Sequence, residues 1–523
     1  MKSWRGVPVL MSVLSGLVVA CGPVPEGEEV AGGEVREAEV APRVEATGGM
    51  PTVSGLGGLV TGLLSYVWEV CDDVARRVKD INPGAPGSAP EHLVHGDGLL
   101  FFSADDGVNG HGRELWASTG EGSRTFLVKD INPGKPSSTP TQLTALGPWV
   151  LFVATEPGNG PELWRTDGTE QGTVLVKDIH RGQTGSLPNQ LTRVGDFIYF
   201  TANDGEHGRE LWRTDGTAQG TVLVRDFVPG GNSAGPDKLT AWGDTLALVA
   251  SADGAVAALW AVDRKGRASV LHALGYGVFL RVTAADKQLF FTVDVGTDEA
   301  DLWVTRNRPG TAEFLRHFPG QEPTAITALG DAVYFVAGGE GILGQVGDPL
   351  HGAELWTSDG TVRGTRLVRD INPGPEGAFS IYDSPWMEAV GDLLYFAATD
   401  GAGLQGHGLE PWRSNGTSRG TWLLRDVEPG PAGSNPTLLA GANGWLFFSA
   451  DTTGHGREVW YSNGAPWHTR PLLDIAPGAA SSNPRNFVLS GWDVFFLATE
   501  GGGGEELWAV PFRPRRECAD GDC

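Results

Sequence analysis

A tryptophan recurs along the chain at a nearly constant interval, and this repetition constrains the fold more than any other feature. The intervals are 48, 48, 48, 43, 53, 56, 48 and 48 residues. The nine positions, which we expect to be structural blade residues, are Trp116, Trp164, Trp212, Trp260, Trp303, Trp356, Trp412, Trp460 and Trp508. Repeats of this length are typical of solenoids and propellers, in which each unit buries its apolar face against the next.

One unit of the repeat contains four short β-rich runs. "PTQLTAL" (140–146) and "WVLFVAT" (149–155) come first, followed by "ELWRT" (162–166) and "TVLVKDI" (173–179). Turn residues separate the runs, and none of them has helical periodicity. The pattern predicts an all-β chain whose units are the four-stranded blades of a β-propeller.

The number of strands indicates how the ring closes. No fourth run follows the last tryptophan, Trp508, whereas "ARRVKDINPG" (75–84) is a fourth run with no first run before it. We therefore predict about nine blades, closed by pairing of this N-terminal strand with the C-terminal blade. An eight-bladed ring with one degenerate unit is the alternative.

The repeated motif resembles a known bacterial family. "ELWRTDGT" (162–169 and 210–217), "ELWTSDGT" (354–361) and the looser "EPWRSNGT" (410–417) are similar to the signature of the ELWxxDGT-repeat proteins. The resemblance covers Trp68 to Trp508. It implies an exported, surface-type propeller, and it implies no particular reaction.

The first residues have the pattern of a targeting segment. Lys2 and Arg5 precede an apolar run at 7–20, which ends in Val-Val-Ala-Cys at 18–21. This resembles a bacterial lipobox, so we expect 1–20 to be a lipoprotein signal peptide and Cys21 to be lipidated. Ordinary secretion is the alternative. The lipid would anchor the protein to a membrane of the cell envelope, and we expect the outer membrane, on its periplasmic or surface side.

The remaining domain boundaries follow from composition. Residues 21–62 are acidic and lack periodicity, which predicts a disordered tether. Residues 63–513 would form the propeller and 514–523 a C-terminal tail. Lys and Arg number 39 against 64 Asp and Glu, a net charge of -25, so we expect no nucleic-acid partner.

Three cysteines are left if Cys21 carries lipid. Cys71 precedes the unpaired N-terminal strand and Cys518 follows the last third strand, so strand pairing would bring them together. We expect a Cys71–Cys518 disulfide that locks the ring. A local bond between Cys518 and Cys523 is the competing possibility.

Five units share the pattern His-Gly-x-Glu, as at His111 and Glu114. Acidic Gly-rich loops suit Ca²⁺ and histidine suits transition metals. We favour a structural role, in which the glutamate pairs across strands with the Lys or Arg of "VKD", for instance Lys129. We therefore expect no cofactor, with calcium possible. The weak calcium candidates are Asp105, Glu114, Asp204 and Glu210.

The repeat is interrupted by insertions in the sixth and seventh units, between 338 and 408. Function is often grafted where a regular scaffold is broken, although neutral drift gives the same appearance. The candidate ligand-binding residues are Asp348, His351, Tyr382, Asp383, Trp386, Asp400 and His407. No catalytic motif is recognisable. We expect a binding or scaffold module for a protein or glycan, with a propeller-type glycan hydrolase or lyase as the alternative.

Overall fold

The structure is a computed structural model. It describes residues 66–70, 75–84, 86–107, 110–252, 256–275, 277–296, 299–306, 310–320, 322–338, 352–380, 385–401 and 406–516. Contacts divide the chain into one large unit, Trp68–Arg513, and a small one formed by 1–67 and 514–523. The large unit is the propeller. In the described part of the chain no helix is long and apolar enough to cross a membrane.

The large unit consists of nine four-stranded antiparallel blades, the ninth of which has one additional strand in its sheet, and this confirms the predicted fold class and the blade number. The inner strands of blades one to nine are β3 (Glu91–Gly96), β7 (Thr141–Leu146), β11 (Asn189–Val194), β15 (Asp237–Trp242), β19 (Val278–Ala285), β23 (Thr324–Leu329), β27 (Met387–Val390), β31 (Thr437–Ala442) and β35 (Arg485–Ser490). The second strands are β4 (Leu99–Asp105), β8 (Trp149–Glu156), β12 (Phe197–Asn203), β16 (Thr245–Ala252), β20 (Gln288–Gly296), β24 (Ala332–Ala337), β28 (Leu393–Thr399), β32 (Trp445–Thr452) and β36 (Asp493–Thr499).

The outer half of each blade contains the tryptophan motif and the strand after it. The third strands are β5 (Arg113–Ser118), β9 (Gly160–Thr166), β13 (Arg209–Thr214), β17 (Val256–Val262), β21 (Glu299–Thr305), β25 (Glu354–Ser358), β29 (Leu409–Ser414), β33 (Gly456–Ser462) and β37 (Glu505–Arg516). The outer strands are β6 (Thr125–Lys129), β10 (Val174–Lys177), β14 (Val222–Arg225), β18 (Ala268–Ala273), β22 (Glu313–Phe318), β26 (Arg366–Arg369), β30 (Trp422–Leu423), β34 (Arg470–Leu473) and, in blade nine, β2 (Arg76–Lys79). One further strand, β1 (Tyr66–Val70), belongs to the ninth sheet, and two 3-10 turns lie at Gly122–Arg124 and Pro466–His468.

The ring closes as the strand count predicts. Strand β2 pairs antiparallel with β37, with Arg76 opposite Ala509 and Lys79 opposite Leu507. Each inner strand contacts the inner strands of the two neighbouring blades, and β3 contacts β35. The eight-bladed alternative is therefore wrong, because the irregular fourth and fifth units each form a complete sheet.

The repeated tryptophan is the main apolar contact between neighbouring blades. Trp164 of blade two is 4% exposed and packs in one cluster with Leu115, Val128 and Ile131 of blade one. Leu163, its neighbour in sequence, packs in the opposite direction with Trp212 of blade three. Alternation along the strand thus gives each blade one face for each neighbour. Eight of the nine tryptophans are buried, and Trp303 is half-buried.

A cation from the preceding blade covers this tryptophan. The ammonium of Lys129 lies 6.0 Å from the centre of the Trp164 ring and donates a hydrogen bond of 2.9 Å to the carbonyl of Thr173. The same lysine or arginine position stacks on the next blade's tryptophan at Lys79, Lys177, Arg225, Arg316, Arg369 and Arg425. A cation–π contact and a charge-assisted hydrogen bond therefore reinforce the apolar contact between neighbouring blades.

We predict that Trp164→Ala lowers the free energy of unfolding by about 3–5 kcal/mol, because it empties a buried aromatic site between two blades. Chemical denaturation measures the change. Trp467→Ala is the matched control, since Trp467 is 76% exposed and its loss leaves no cavity. Equal effects of the two substitutions would contradict the role assigned to the tryptophan row.

Candidate functional site

A buried glutamate begins the motif in seven of the nine blades, and it organises the face on which the blades are joined. Glu162 accepts hydrogen bonds from the backbone N–H groups of Ile179 (3.3 Å), His180 (3.0 Å) and Ser186 (2.8 Å), and from the Ser186 hydroxyl (2.5 Å). The chain between the outer strand of blade two and the inner strand of blade three is thereby fixed to the third strand of blade two.

The other glutamates make equivalent contacts, although Glu210 faces Ala234 in place of the serine and Glu506 accepts from Ser88 at the other end of the chain. Glu114, for example, accepts from Ile131 N–H (3.1 Å), Ser138 N–H (2.8 Å) and the Ser138 hydroxyl (2.5 Å). The remaining members are Glu210, Glu354, Glu410, Glu458 and Glu506. All seven are no more than 3% exposed.

The predicted cross-strand pairing of this glutamate with the Lys or Arg of "VKD" is wrong. Lys129 lies opposite Leu115 in the strand pair and points to the next blade, so it does not neutralise Glu114. The carboxylate is satisfied by backbone donors instead. The structural role is thus as expected, although the interaction is a loop anchor and not a cross-strand ion pair.

These contacts also limit what the glutamates can do chemically. Both oxygens of Glu114 accept hydrogen bonds from the loop, so neither is directed at solvent. Burial raises the pKa of Glu354 to about 8 and that of Glu114 to about 7, and the N–H donors oppose this shift without cancelling it. Among the described residues, no three His, Cys, Asp or Glu side chains are grouped as metal ligands. The weak calcium candidates Glu114 and Glu210 therefore serve as loop anchors.

The histidines of the motif lie in turns on the same face. The Nδ1 atoms of His111 and His207 lie 2.8 and 2.7 Å from the carboxylates of Asp106 and Asp204. His407 makes the equivalent contact of 2.8 Å with Asp400. Hydrogen bonding to the aspartate raises the pKa of each of these histidines. Each pair closes its own turn.

The regular pattern fails in blades four and five. Ala258 replaces the glutamate in blade four, and in blade five Asp301 occupies the position and pairs with His317 at 2.8 Å. His272 takes the place of the inter-blade cation and packs 5.0 Å from the Trp303 ring. Blade four thus lacks both the glutamate and the cation, whereas blade five keeps the cation, Arg316, and has an aspartate in place of the glutamate. These two blades are followed by the two blades with insertions.

The inner strands differ in the same sector. In blades two and three a glutamine lies in a bulge with left-handed backbone, at φ +58° for Gln142 and +56° for Gln190. The Gln142 side chain accepts from Leu191 N–H (3.4 Å), and that of Gln190 accepts from Leu239 N–H (3.2 Å). Each glutamine therefore caps an amide of the next blade's inner strand, on the wall of the central channel.

A cavity opens in the channel wall at blades four to seven, which have no glutamine at this position. We call it the channel-mouth cavity, and its volume is about 490 Å³. It is lined by the first halves of β15, β19 and β23 and by Pro385–Met387, which belong to blades four to seven. Lys238, Arg281, Thr240, Thr327 and Trp386 supply its polar and aromatic groups. The irregular blades four and five and the two interrupted blades thus contribute to one cavity.

A larger cavity, of about 670 Å³, lies at the opposite ends of the strands. It is lined by the turn 285–288 and by Arg306, Thr311 and Glu313 of blade five, and by Asp331 of blade six. Its arginine, Arg306, is bound internally, to Glu313 at 3.2 Å and to the Gly360 carbonyl at 3.1 Å. We place the candidate site at the channel mouth because the lining there is contributed by four blades.

The candidate residues from the sequence have different outcomes. Asp348, His351, Tyr382 and Asp383 lie outside the described residues, as do Cys21, Cys71 and Cys518, so lipidation and the disulfide stay predictions.

Of the three described candidates, Trp386 lines the cavity and donates its indole N–H to the Pro436 carbonyl (2.7 Å). Asp400 and His407 pair with each other in a loop and are not among the residues that line it. Lys238 and Arg281 were not among the candidates chosen from the sequence. The change from Gln190 in one unit to Lys238 in the next was nevertheless visible there.

Comparison with known proteins gives a likeness of architecture. No family model and no curated protein matches the chain. Dipeptidyl peptidase 4 of Porphyromonas gingivalis matches with 11% identity and a TM-score of 0.47, over 79% of this chain and 65% of that one. A prolyl endopeptidase structure matches with 12% identity and a TM-score of 0.38, over 69% of this chain and 54% of that one.

A third match is the propeller domain of the Trilobed protease from Pyrococcus furiosus, with 11% identity, a TM-score of 0.34, and coverage of 64% and 99%. The chain thus spans less than two thirds of the length of the two peptidases. We draw no functional conclusion from these likenesses.

We predict that Glu162→Gln lowers the free energy of unfolding by about 1–3 kcal/mol, because the amide NH₂ cannot accept from the N–H donors that face it. Glu170→Gln makes the same chemical change at an exposed position and is the control. Denaturant titration of both variants measures the difference. A neutral result at 162 would mean that the loop is held by other contacts.

We also predict that the protein loses stability as the pH rises from about 5 to 8. Burial raises the folded-state pKa of Glu210 to about 6, of Glu114 and Glu410 to about 7, and of Glu354 to about 8, against roughly 4.3 when unfolded. The folded state therefore binds more protons than the unfolded state in this window, so stability falls with rising pH.

The raised pKa values of the histidines act in the same direction, while Asp167 and Asp204, whose pKa values are lowered, lose their contribution below about pH 4. Melting temperatures at pH 5, 6, 7 and 8 test the sign. A melting temperature that rises over this series would contradict it.

Proposed function

We propose that the protein is a lipid-anchored, extracytoplasmic binding module that holds a glycan or protein ligand at the channel-mouth cavity. The anchoring part depends on the sequence before Cys21. The binding part is supported by one observation: the irregular blades four and five and the interrupted blades six and seven together line a single cavity.

The size of the cavity favours a glycan over a protein surface. A volume of about 490 Å³ is within the range of small-ligand pockets, roughly 300–1,000 Å³. A stable protein interface buries roughly 800 Å² on each partner, and such interfaces are much broader than this cavity. A few sugar residues match it better, with their hydroxyl groups near polar side chains and an apolar ring face against Trp386.

The remaining features support binding over hydrolysis. General acid–base catalysis needs carboxyl groups that reach the substrate. The buried glutamates accept hydrogen bonds from N–H groups of the loops between blades. Glu354, for example, accepts from Ile371 (2.9 Å) and Asn372 (3.0 Å). Among the described residues that line the cavity there is no carboxylate.

The test is an array of neutral and acidic oligosaccharides probed with wild-type protein and with Trp386→Ala. We expect wild-type protein to bind a defined subset without releasing products, and Trp386→Ala to lose at least tenfold in affinity. Trp386→Phe keeps an aromatic face without the hydrogen bond to Pro436 and should retain most binding.

The control is Trp467→Ala, which makes the same change at an exposed position in the turn between the third and outer strands of blade eight. Unchanged binding by Trp386→Ala, or product formation from the oligosaccharides, would contradict the proposal.

A further inference from the structure

The channel-mouth cavity has a charge that is unusual for this chain. The protein carries a net charge of -25, with acidic residues in large excess. Yet two of the described residues that line the cavity are charged, and both, Lys238 and Arg281, are cationic. They lie on the adjacent inner strands β15 and β19, so the cavity offers two positive groups in an otherwise acidic molecule.

The carboxylates that accompany these cations lie outside the lining of the cavity. The Lys238 ammonium is 3.1 Å from Asp237, its neighbour in sequence, and the Arg281 guanidinium is 3.5 Å from Glu322. The side chains of both acids are at least 36% exposed. Exposed pairs of this kind contribute little free energy, so a ligand carboxylate can replace them.

The bulge position of the inner strands also differs between the blades. Gln142 and Gln190 provide a side-chain oxygen for an amide of the next blade's inner strand. At the same bulge position blade four has Lys238 and blade six has Ala325, with φ of +55° and +51°. Neither side chain can accept a hydrogen bond. Blade four thus places a cation where blades two and three place an amide acceptor.

The two cations identify the ligand chemistry, and the bulge at Lys238 shows how one of them comes to the cavity. Given the binding site proposed above, we propose that its ligand is an acidic glycan, whose carboxylate is bound by Lys238 and Arg281 while a sugar ring packs against Trp386. A guanidinium can bind a carboxylate through two parallel hydrogen bonds, and an ammonium adds a third donor group. A neutral sugar would leave both cations with their present partners.

The experiment compares a trimer of galacturonic acid with its methyl ester, which has the same sugar rings without the charge. We expect wild-type protein to bind the free acid at least tenfold more tightly than the ester by calorimetry. This preference should weaken as ionic strength rises, because screening reduces the attraction.

Lys238→Gln is the most informative variant, since it restores the residue that blades two and three carry and so should fold. It removes the cation and keeps a polar side chain of the type found at Gln142 and Gln190. We expect Lys238→Gln and Arg281→Gln each to reduce binding of the acid roughly tenfold, with little effect on the ester. The double variant Lys135→Gln/Arg419→Gln removes two exposed cations that do not line the cavity, and it should bind as wild type does.

The possible failures differ from one another. Equal, Trp386-dependent binding of acid and ester would overturn the acidic ligand and leave the proposed binding site intact. Binding of an oligoglutamate peptide that depends on Lys238 and Arg281, without binding of the acidic trimer, would replace the glycan by an acidic peptide. If only neutral oligosaccharides on the array bind, the charge assignment is wrong. If neither the trimers nor the array gives any binding, the proposed function itself fails.

Discussion

The hydrogen bonds of the buried glutamate hold the repeated architecture together. A carboxylate in the interior is costly unless several donors satisfy it, and here the donors come from both ends of the connection between two blades. Glu458 shows the geometry: it accepts from Ile475 (3.2 Å) beside the outer strand of blade eight and from Ser482 (3.1 Å) near the inner strand of blade nine. The spacing between motif glutamate, isoleucine and serine is therefore dictated by one side chain.

Much of the fold was predictable because each propeller blade is formed by a short, continuous stretch of sequence that repeats along the chain. The tryptophan interval gave the blade number, and the unpaired run at 75–84 gave the mode of closure. The partner of Glu114 was not predictable, because a sequence shows that an acid and Lys129 are near in the chain but not that their side chains point to different neighbours. Register decides that, and it places Lys129 opposite Leu115.

The site was less predictable than the fold. Insertions drew attention to blades six and seven, and Trp386 does line the cavity. The cations come from blades four and five, however, where the signal is substitution within a strand of normal length. Comparing the units position by position at the bulge, where Gln190 is followed one unit later by Lys238, would have found one of them. Arg281 lies at the same place in the next unit, two residues before Thr283 as Lys238 is two residues before Thr240, so the same comparison would have found it as well.

The closing strand has a consequence for the order in which the molecule is made. Strand β2 is synthesised before any blade, but its partner β37 is among the last strands to appear, so β2 must wait unpaired while more than 400 residues follow. An unpaired strand can pair with another chain and aggregate. Charged side chains on the strand, lysine above all, oppose such pairing. Its sequence, Arg76-Arg77-Val78-Lys79, carries three positive charges in four residues. In the finished ring Arg76 meets Asp493 and Arg77 meets Glu500, so the charges that keep the waiting strand solvated become contacts of the closed blade.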